Sequence, residues 1–187
     1  MADTTQLQKL LDEQSYDQLV AVAANRLLLL TRKMLRAYPR LRRWEQTDDV
    51  FQTAVMRLHK SLSAVQPDSV AGFFGLATTQ IRRTLIDLAR HHFGPQGQAA
   101  KHETHHDSHP VTHDSPESLE SWASFHEAVD RLPDQEQEVF QLLWYAGLPQ
   151  QEVASLLGIS VPTVQRRWYR SRHHLQIALS GDHPAMG

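Results

Sequence analysis

Cysteine is absent from all 187 residues. Disulfides and thiolate metal sites are therefore excluded, and the composition suits a reducing compartment. Long hydrophobic runs are missing too. Apolar stretches such as Leu27 to Leu30 fall far short of the ~20 residues that cross a bilayer as a helix, so no membrane insertion is expected. The N-terminal "MADTTQLQKLLDEQ" has neither the basic start nor the apolar centre of a signal peptide, and a cytoplasmic location is the expectation. An excess of positive charge is also lacking. With a net charge of −2, any surface for nucleic acid has to come from local segregation of charge. The chain has no glycine-rich phosphate loop, no metalloprotease motif and no strand–turn–helix nucleophile pattern. Its carboxylates sit at helix starts, where the helix dipole accounts for them. No enzyme and no cofactor are expected.

Hydrophobic residues make up 41% and charged residues 21% of the chain, which suits a soluble globular protein of one or two domains. Strand-like alternation occurs nowhere, and helical spacing occurs repeatedly. Leu19, Val20, Ala23, Leu27, Leu30 and Met34 mark one helix face. That helix should stop near Tyr38-Pro39, because the residue before a proline disfavours helical geometry. Seven basic residues and no acid lie between Arg26 and Arg43. A second helix follows, with Thr47 as its expected N-cap and Asp48 and Asp49 in its first turn. Val50, Phe51, Ala54, Val55 and Leu58 form its buried stripe, opposite Asp49, Gln52, Thr53, Met56 and Lys60. A third helix starts at Pro67-Asp68 and stops at Gly94-Pro95. Phe73, Ala77, Ile81, Leu85 and Leu88 face inward, while Thr79, Arg82, Arg83 and Arg90 share the outer side.

Residues 94–118, "GPQGQAAKHETHHDSHPVTHDSPES", have almost no large apolar residue and no periodicity. They read as a flexible linker that cannot offset the entropy cost of ordering. His102, His105, His106, His109 and His113 lie within them, with His91 and His92 just before. Histidine ligates metals, yet the spacing matches no closed site, and a solvated polar linker is the better reading; a zinc-sensing regulator is the competing one. Four further helical segments run over Trp122 to Arg131, Asp134 to Ala146, Pro149 to Leu157 and Val161 to about Leu179. The fold expected is all-α, with two small helical domains, 14–94 and 121–180, on a tether, 95–120.

The stretch "QEVASLLGISVPTVQRRWYRSR" (Gln151 to Arg172) carries the sharpest signal. Gly158 can adopt the left-handed geometry that ends a helix in a tight turn. Ser160 can cap the next helix, and Pro162 falls in its first turn, where the missing N–H breaks no bond. Ala154 allows a close crossing and Val164 fills the space beneath it. This is a helix-turn-helix, whose second helix enters the major groove with its early residues near base edges. Thr163, Gln165, Arg166 and Arg167 occupy that portion, and Arg170 and Arg172 are placed to meet phosphates. Arginine can read guanine bidentately, and glutamine can read adenine.

From Leu132 to Leu175, "LPDQEQEVFQLLWYAGLPQQEVASLLGISVPTVQRRWYRSRHHL" resembles region four of bacterial sigma-70 family factors, most nearly the extracytoplasmic-function type. "DDVFQTAVMRLHKSL" (Asp48 to Leu62) resembles region 2.2, and "FFGLATTQIRRTLIDLARHHFG" (Phe73 to Gly94) resembles regions 2.3 and 2.4. The resemblance implies a promoter-specificity subunit of RNA polymerase. Region 2.2 would dock on the β′ clamp helices through Asp49, Gln52, Met56 and Lys60. Region 2.4 would read and help to melt the −10 element through Thr79, Arg82, Arg83 and Arg90. Region four would read the −35 element and touch the β flap. An anti-sigma factor is the further kind of partner the resemblance brings. Four departures from the family pattern stand out: Thr53 for a frequent glutamate, Arg83 for asparagine, Pro149 for a serine cap, and Gln165-Arg166 for lysine and serine. The −35 sequence therefore cannot be copied from relatives. The alternative is a helix-turn-helix regulator that acts without polymerase docking, and a pure protein-interaction module is a third class. The region-two-like half argues against the regulator, which needs no docking helix.

Overall fold

Apolar residues at three- and four-residue spacing fold as helices throughout the described residues of the computed structural model, 4–36, 38, 41–93 and 124–179, and no strand occurs among them. The expected all-α class is the observed one. Helix α1 (Thr4–Asp12) buries Leu7, Leu10 and Leu11; it was not anticipated, because three apolar positions in nine residues make a weak pattern. Helix α2 (Tyr16–Arg36) buries the whole stripe from Leu19 to Met34 and stops before Pro39, as expected. A 3-10 turn, Leu41–Arg43, leads into α3 (Thr47–Val65). There Val50, Ala54 and Leu58 are buried, and Phe51 and Val55 pack partly buried beside them. Thr47 is not the N-cap: it is the first helical residue, and Gln46 precedes it without a side-chain cap bond.

Helix α4 (Val70–Phe93) starts just after Pro67-Asp68, where the Gly72 N–H donates to the Ser69 hydroxyl at 3.1 Å. Phe73, Ala77, Ile81 and Leu85 are buried, and Leu88 partly so. Thr78 is buried as well, off that stripe, and its hydroxyl donates to the Phe74 carbonyl at 2.7 Å, which removes the cost of an unpaired buried polar group.

The C-terminal half comprises α5 (124–130), α6 (Asp134–Phe140), a π-helical turn continuing it (Gln141–Tyr145), α7 (Gln150–Leu157) and α8 (Val161–Ala178). Its centre is Phe140, fully buried. One face stacks on Trp144, with centroids 5.9 Å apart, and Trp168 of α8 stacks at 5.3 Å. Phe125 of α5 meets it edge-on at 6.1 Å. The predicted tether, 95–120, lies outside the described residues.

The two halves that flank the tether pack on each other. One apolar cluster runs from Leu7, Phe73 and Phe74 to Leu142, Val153 and Val164. At its rim, Arg26 of α2 pairs with Glu152 of α7 at 3.6 Å, and the Thr4 hydroxyl donates to the same carboxylate at 3.1 Å. Lys33 lies 3.6 Å from the centre of the Trp144 ring, a cation–π contact. Gly75 of α4 lets the Gln141 side chain approach so closely that a Cβ there would sit 2.7 Å from its amide nitrogen.

Replacing Phe140 removes four ring contacts at once, with Phe125, Trp144, Tyr145 and Trp168, and leaves a cavity. Phe140→Ala is expected to cost about 3–5 kcal/mol, read as a lower denaturant midpoint. An unchanged midpoint would mean that the aromatic cluster does not hold this half together.

Candidate nucleic-acid interface

The bend between α7 and α8 forms as its residues dictate. Gly158 adopts φ 61° and ψ 31°, the left-handed region, and its N–H bonds back to the Ala154 and Ser155 carbonyls. The Ile159 N–H also reaches the Ala154 carbonyl at 3.0 Å, so the carbonyls at the end of α7 are satisfied. The Ser160 hydroxyl accepts from the Thr163 N–H at 3.3 Å and caps α8, with Pro162 in the first turn. Pro149, by contrast, caps α7 without any side-chain bond. Ala154 and Val164 are both buried at the crossing.

Burial of Val164, Ser171 and Leu175 turns the opposite side of α8 to solvent. Gln165, Arg166, Arg170 and Arg172 are exposed, and no ion pair involves them among the described residues. The Gln165 amide donates to the Gln150 side chain at 3.0 Å, which ties the start of α8 to the start of α7. Thr163 is half-buried and shares a 2.9 Å hydrogen bond with Ser160. Arg167 is also half-buried; its guanidinium acts on Glu138, whose carboxyl burial nevertheless lifts above the ordinary range, with Asp68 adding to the rise. The cationic face is thus divided: Arg166 and Arg170 point outward, and Arg167 leans on α6. Tyr169, 73% exposed between them, was missed in the sequence, where it looks like one more aromatic in an amphipathic helix.

On α4 the four candidate residues part company. Arg83 and Arg90 are exposed and Thr79 half-buried. The Thr79 hydroxyl donates to the Gly75 carbonyl at 3.0 Å. Only 15% of the Arg82 side chain is exposed, and it faces Asp130 of α5 at 3.9 Å. The reason is spacing: Gly75, Thr78 and Arg82 recur at three and four residues, forming a second face of α4, and the C-terminal half covers it. A single apolar stripe does not reveal that face. Around Arg82 lies a buried polar group: Tyr38, His126 and Tyr145, with a 2.7 Å hydrogen bond between His126 Nδ1 and the Tyr145 hydroxyl. Burial pushes Tyr38 up to about 12 against the pull of Arg82. Burial, then Arg82, pushes His126 down to about 3.

Along α3, Asp49, Gln52, Met56 and Lys60 are all exposed, with Thr53 beside them. Met56 is 66% exposed, an apolar side chain in the middle of a polar stripe. No group of three or more His, Asp or Glu residues able to hold a metal occurs among the described residues, and the histidines from His102 to His113 lie outside them. Among the described residues no helix is long and apolar enough to cross a membrane.

An all-α chain with a helix-turn-helix and cationic helix faces is built as a DNA-binding transcription protein. The family profile described as ECF sigma factor matches residues 2–181, and the chain belongs to that family. It is a sigma factor. Two solved structures are similar. CnrH in complex with the cytosolic domain of CnrY is 23% identical, covers 98% of this chain and 100% of its own, and has a TM-score of 0.37. The sigma factor RpoE in complex with the anti-sigma factor NepR from Bartonella quintana is 15% identical, covers 91% and 99%, and has a TM-score of 0.36. No curated protein matches.

The buried imidazole sets a pH dependence. His126 is held neutral in the folded chain down to about pH 3 and protonates near 6.5 when unfolded. The unfolded state therefore binds more protons in between, and stability falls as pH drops below about 6.5. From pH 6.5 to 5 the wild type should lose up to about 2 kcal/mol through this group. His126→Gln should flatten that decline in denaturant titrations at the two pH values; an identical decline in both proteins would remove His126 as its source.

Proposed function

We propose that this sigma factor directs promoter-specific initiation by docking the α3 stripe on the β′ clamp helices of core polymerase, reading the −10 element with α4 and the −35 element with α8. The observation that carries the proposal is the pairing of two open surfaces in one chain. One is the cationic outer face of α8, which has no ion pair among the described residues and is set by the left-handed Gly158. The other is the exposed stripe Asp49, Gln52, Met56 and Lys60, which is turned away from the buried core. A regulator that acts without polymerase has a use for the first surface and none for the second. Residues 14–94 and 121–180 act as the two DNA-contact units, with the β flap as a further partner of the second and an anti-sigma factor as a further partner of the chain. In the packed arrangement Arg83 and Arg90 are presented and Arg82 is turned to Asp130, so reading through Arg82 requires the halves to part.

Docking is tested by Asp49→Lys and Gln52→Ala. Neither side chain is buried, so no cavity forms, and reversing a charge in the first turn of α3 costs about 0.6–2 kcal/mol through the helix dipole. Both variants should compete less well for core polymerase while melting almost as the wild type does. Undiminished competition would mean a merely solvated stripe.

Promoter reading is tested on α8. Arg166→Ala should relax preference at one −35 position, losing roughly 1–3 kcal/mol of discrimination. Arg170→Ala should weaken all promoters alike and lower the salt slope by about one. Open-complex formation by holoenzyme on single-base −35 variants at two salt concentrations separates the two roles. Equal, sequence-independent losses would leave α8 as a cationic face without base readout.

A further inference from the structure

The acid-free basic run that ends at Arg43 is not accounted for by either reading helix, and the structure gives its end a definite shape. The 3-10 turn Leu41–Arg43 is anchored by the buried Leu41 and leaves Arg42 and Arg43 exposed, without side-chain partners among the described residues. Trp44 follows, 49% exposed. Its ring stacks on His92 of α4, with centroids 5.8 Å apart and planes 24° from parallel. His92 is itself fixed: its Nε2 lies 2.7 Å from the Glu45 carboxylate. One face of the indole is therefore held against a clamped imidazole, and the ring still exposes half its surface beside the exposed Arg90 end of α4.

An exposed tryptophan normally loses conformational freedom when it binds something. Here the stacking has already fixed the ring. A pre-oriented aromatic surface beside two free guanidinium groups suits one ligand chemistry above others, a nucleic-acid strand: a base stacks on the ring and phosphates meet the arginines. A polymerase face fits less well, because it would meet the acids of α3, Asp48 and Asp49, rather than this basic corner. The site also continues the α4 surface that carries Arg83 and Arg90.

We infer that Trp44, with Arg42 and Arg43, forms an additional DNA-binding site at the C-terminal end of α4, where the indole stacks an unpaired promoter base and the arginines hold the flanking phosphates. The inference rests on the proposed promoter-opening role and adds a contact to it.

The test uses holoenzyme and two probes, a duplex promoter and the same promoter with a mismatched, pre-opened −10 region. Trp44→Ala should weaken binding to the pre-opened probe by roughly 5- to 150-fold, the worth of one stacked base. Trp44→Phe, which keeps a stacking face and safeguards the fold, should retain most of it. The double variant Arg42→Ala, Arg43→Ala should lower the slope of log affinity against log salt by about 1.4 to 1.8, with unchanged competition for core polymerase. Equal losses for Trp44→Ala and Trp44→Phe, or an unchanged salt slope, would overturn the site. Weakened core competition by the double variant would overturn it in favour of a polymerase contact. If the α8 variants behave as base and phosphate contacts while Trp44→Ala does nothing, the additional site fails and the sigma reading stands.

Discussion

The stacking of Phe140 on Trp144 and Trp168 is the contact on which the C-terminal half depends. It joins α6, the π-turn and the recognition helix through one buried ring, with Phe125 closing the edge from α5. Trp168 is the inward neighbour of Arg166, Arg167, Tyr169 and Arg170, so anchoring its indole fixes the rotation of α8 about its own axis. That rotation decides which cations face outward. The Gly158 bend sets where α8 begins and the Ser160 cap sets its first turn, but neither could hold the rotation alone.

The same cluster positions the two halves. Trp144 leaves the Phe140 stack to meet Lys33 of α2, and the π-turn that carries it brings Gln141 against Gly75 of α4. A π-turn takes one residue more than a regular turn, which shifts the side chains after it around the helix. Leu142 and Tyr145 within it are both buried. The covering of Arg82 follows from this contact. A cation meant for solvent or phosphate is placed beside Asp130, Tyr38, His126 and Tyr145, where it depresses His126 and opposes the burial-driven rise of Asp130. A buried cation near polar partners is stable only while those partners stay close, so this region binds the halves through polar contacts that water can replace when they separate.

Much of this was legible from residues alone, and the reasons differ by element. The stripe of α2 repeats over about four turns and that of α3 over about two, so their buried faces could be named in advance. The bend at Gly158 was legible because a left-handed turn, a cap and a proline each demand a particular residue type. Helix α1 was not, since Leu7, Leu10 and Leu11 span barely one turn. The Thr47 cap failed because the backbone at Gln46 took the extended N-cap position without any side-chain cap bond, which puts Thr47 inside the first turn. Arg82 was misplaced for a reason no local pattern can supply. Its side of α4 carries glycine, threonine and arginine, which look solvent-facing until a second half is packed on them. Trp44 was overlooked because its meaning lies in a contact with His92, 48 positions along the chain.

The negative net charge now has a physical place in the fold. Acids are absent from α8 and from the stretch between Arg26 and Arg43, and several elsewhere neutralise cations that serve packing: Glu152 holds Arg26, Asp87 holds Arg57 and Asp130 faces Arg82. Among the described residues, the exposed cations without an acid partner form short groups on separate surfaces. Each group can neutralise a few phosphates, and the affinity from so few released counterions is small at physiological salt. The overall charge of −2 adds no long-range attraction to DNA at large. Strong binding then requires the groups to act together, each raising the effective concentration of the next. Whatever sets their separation controls the affinity. Under the proposed role, weak separate surfaces are an advantage, because they would keep the free chain from accumulating on DNA that offers only one of them.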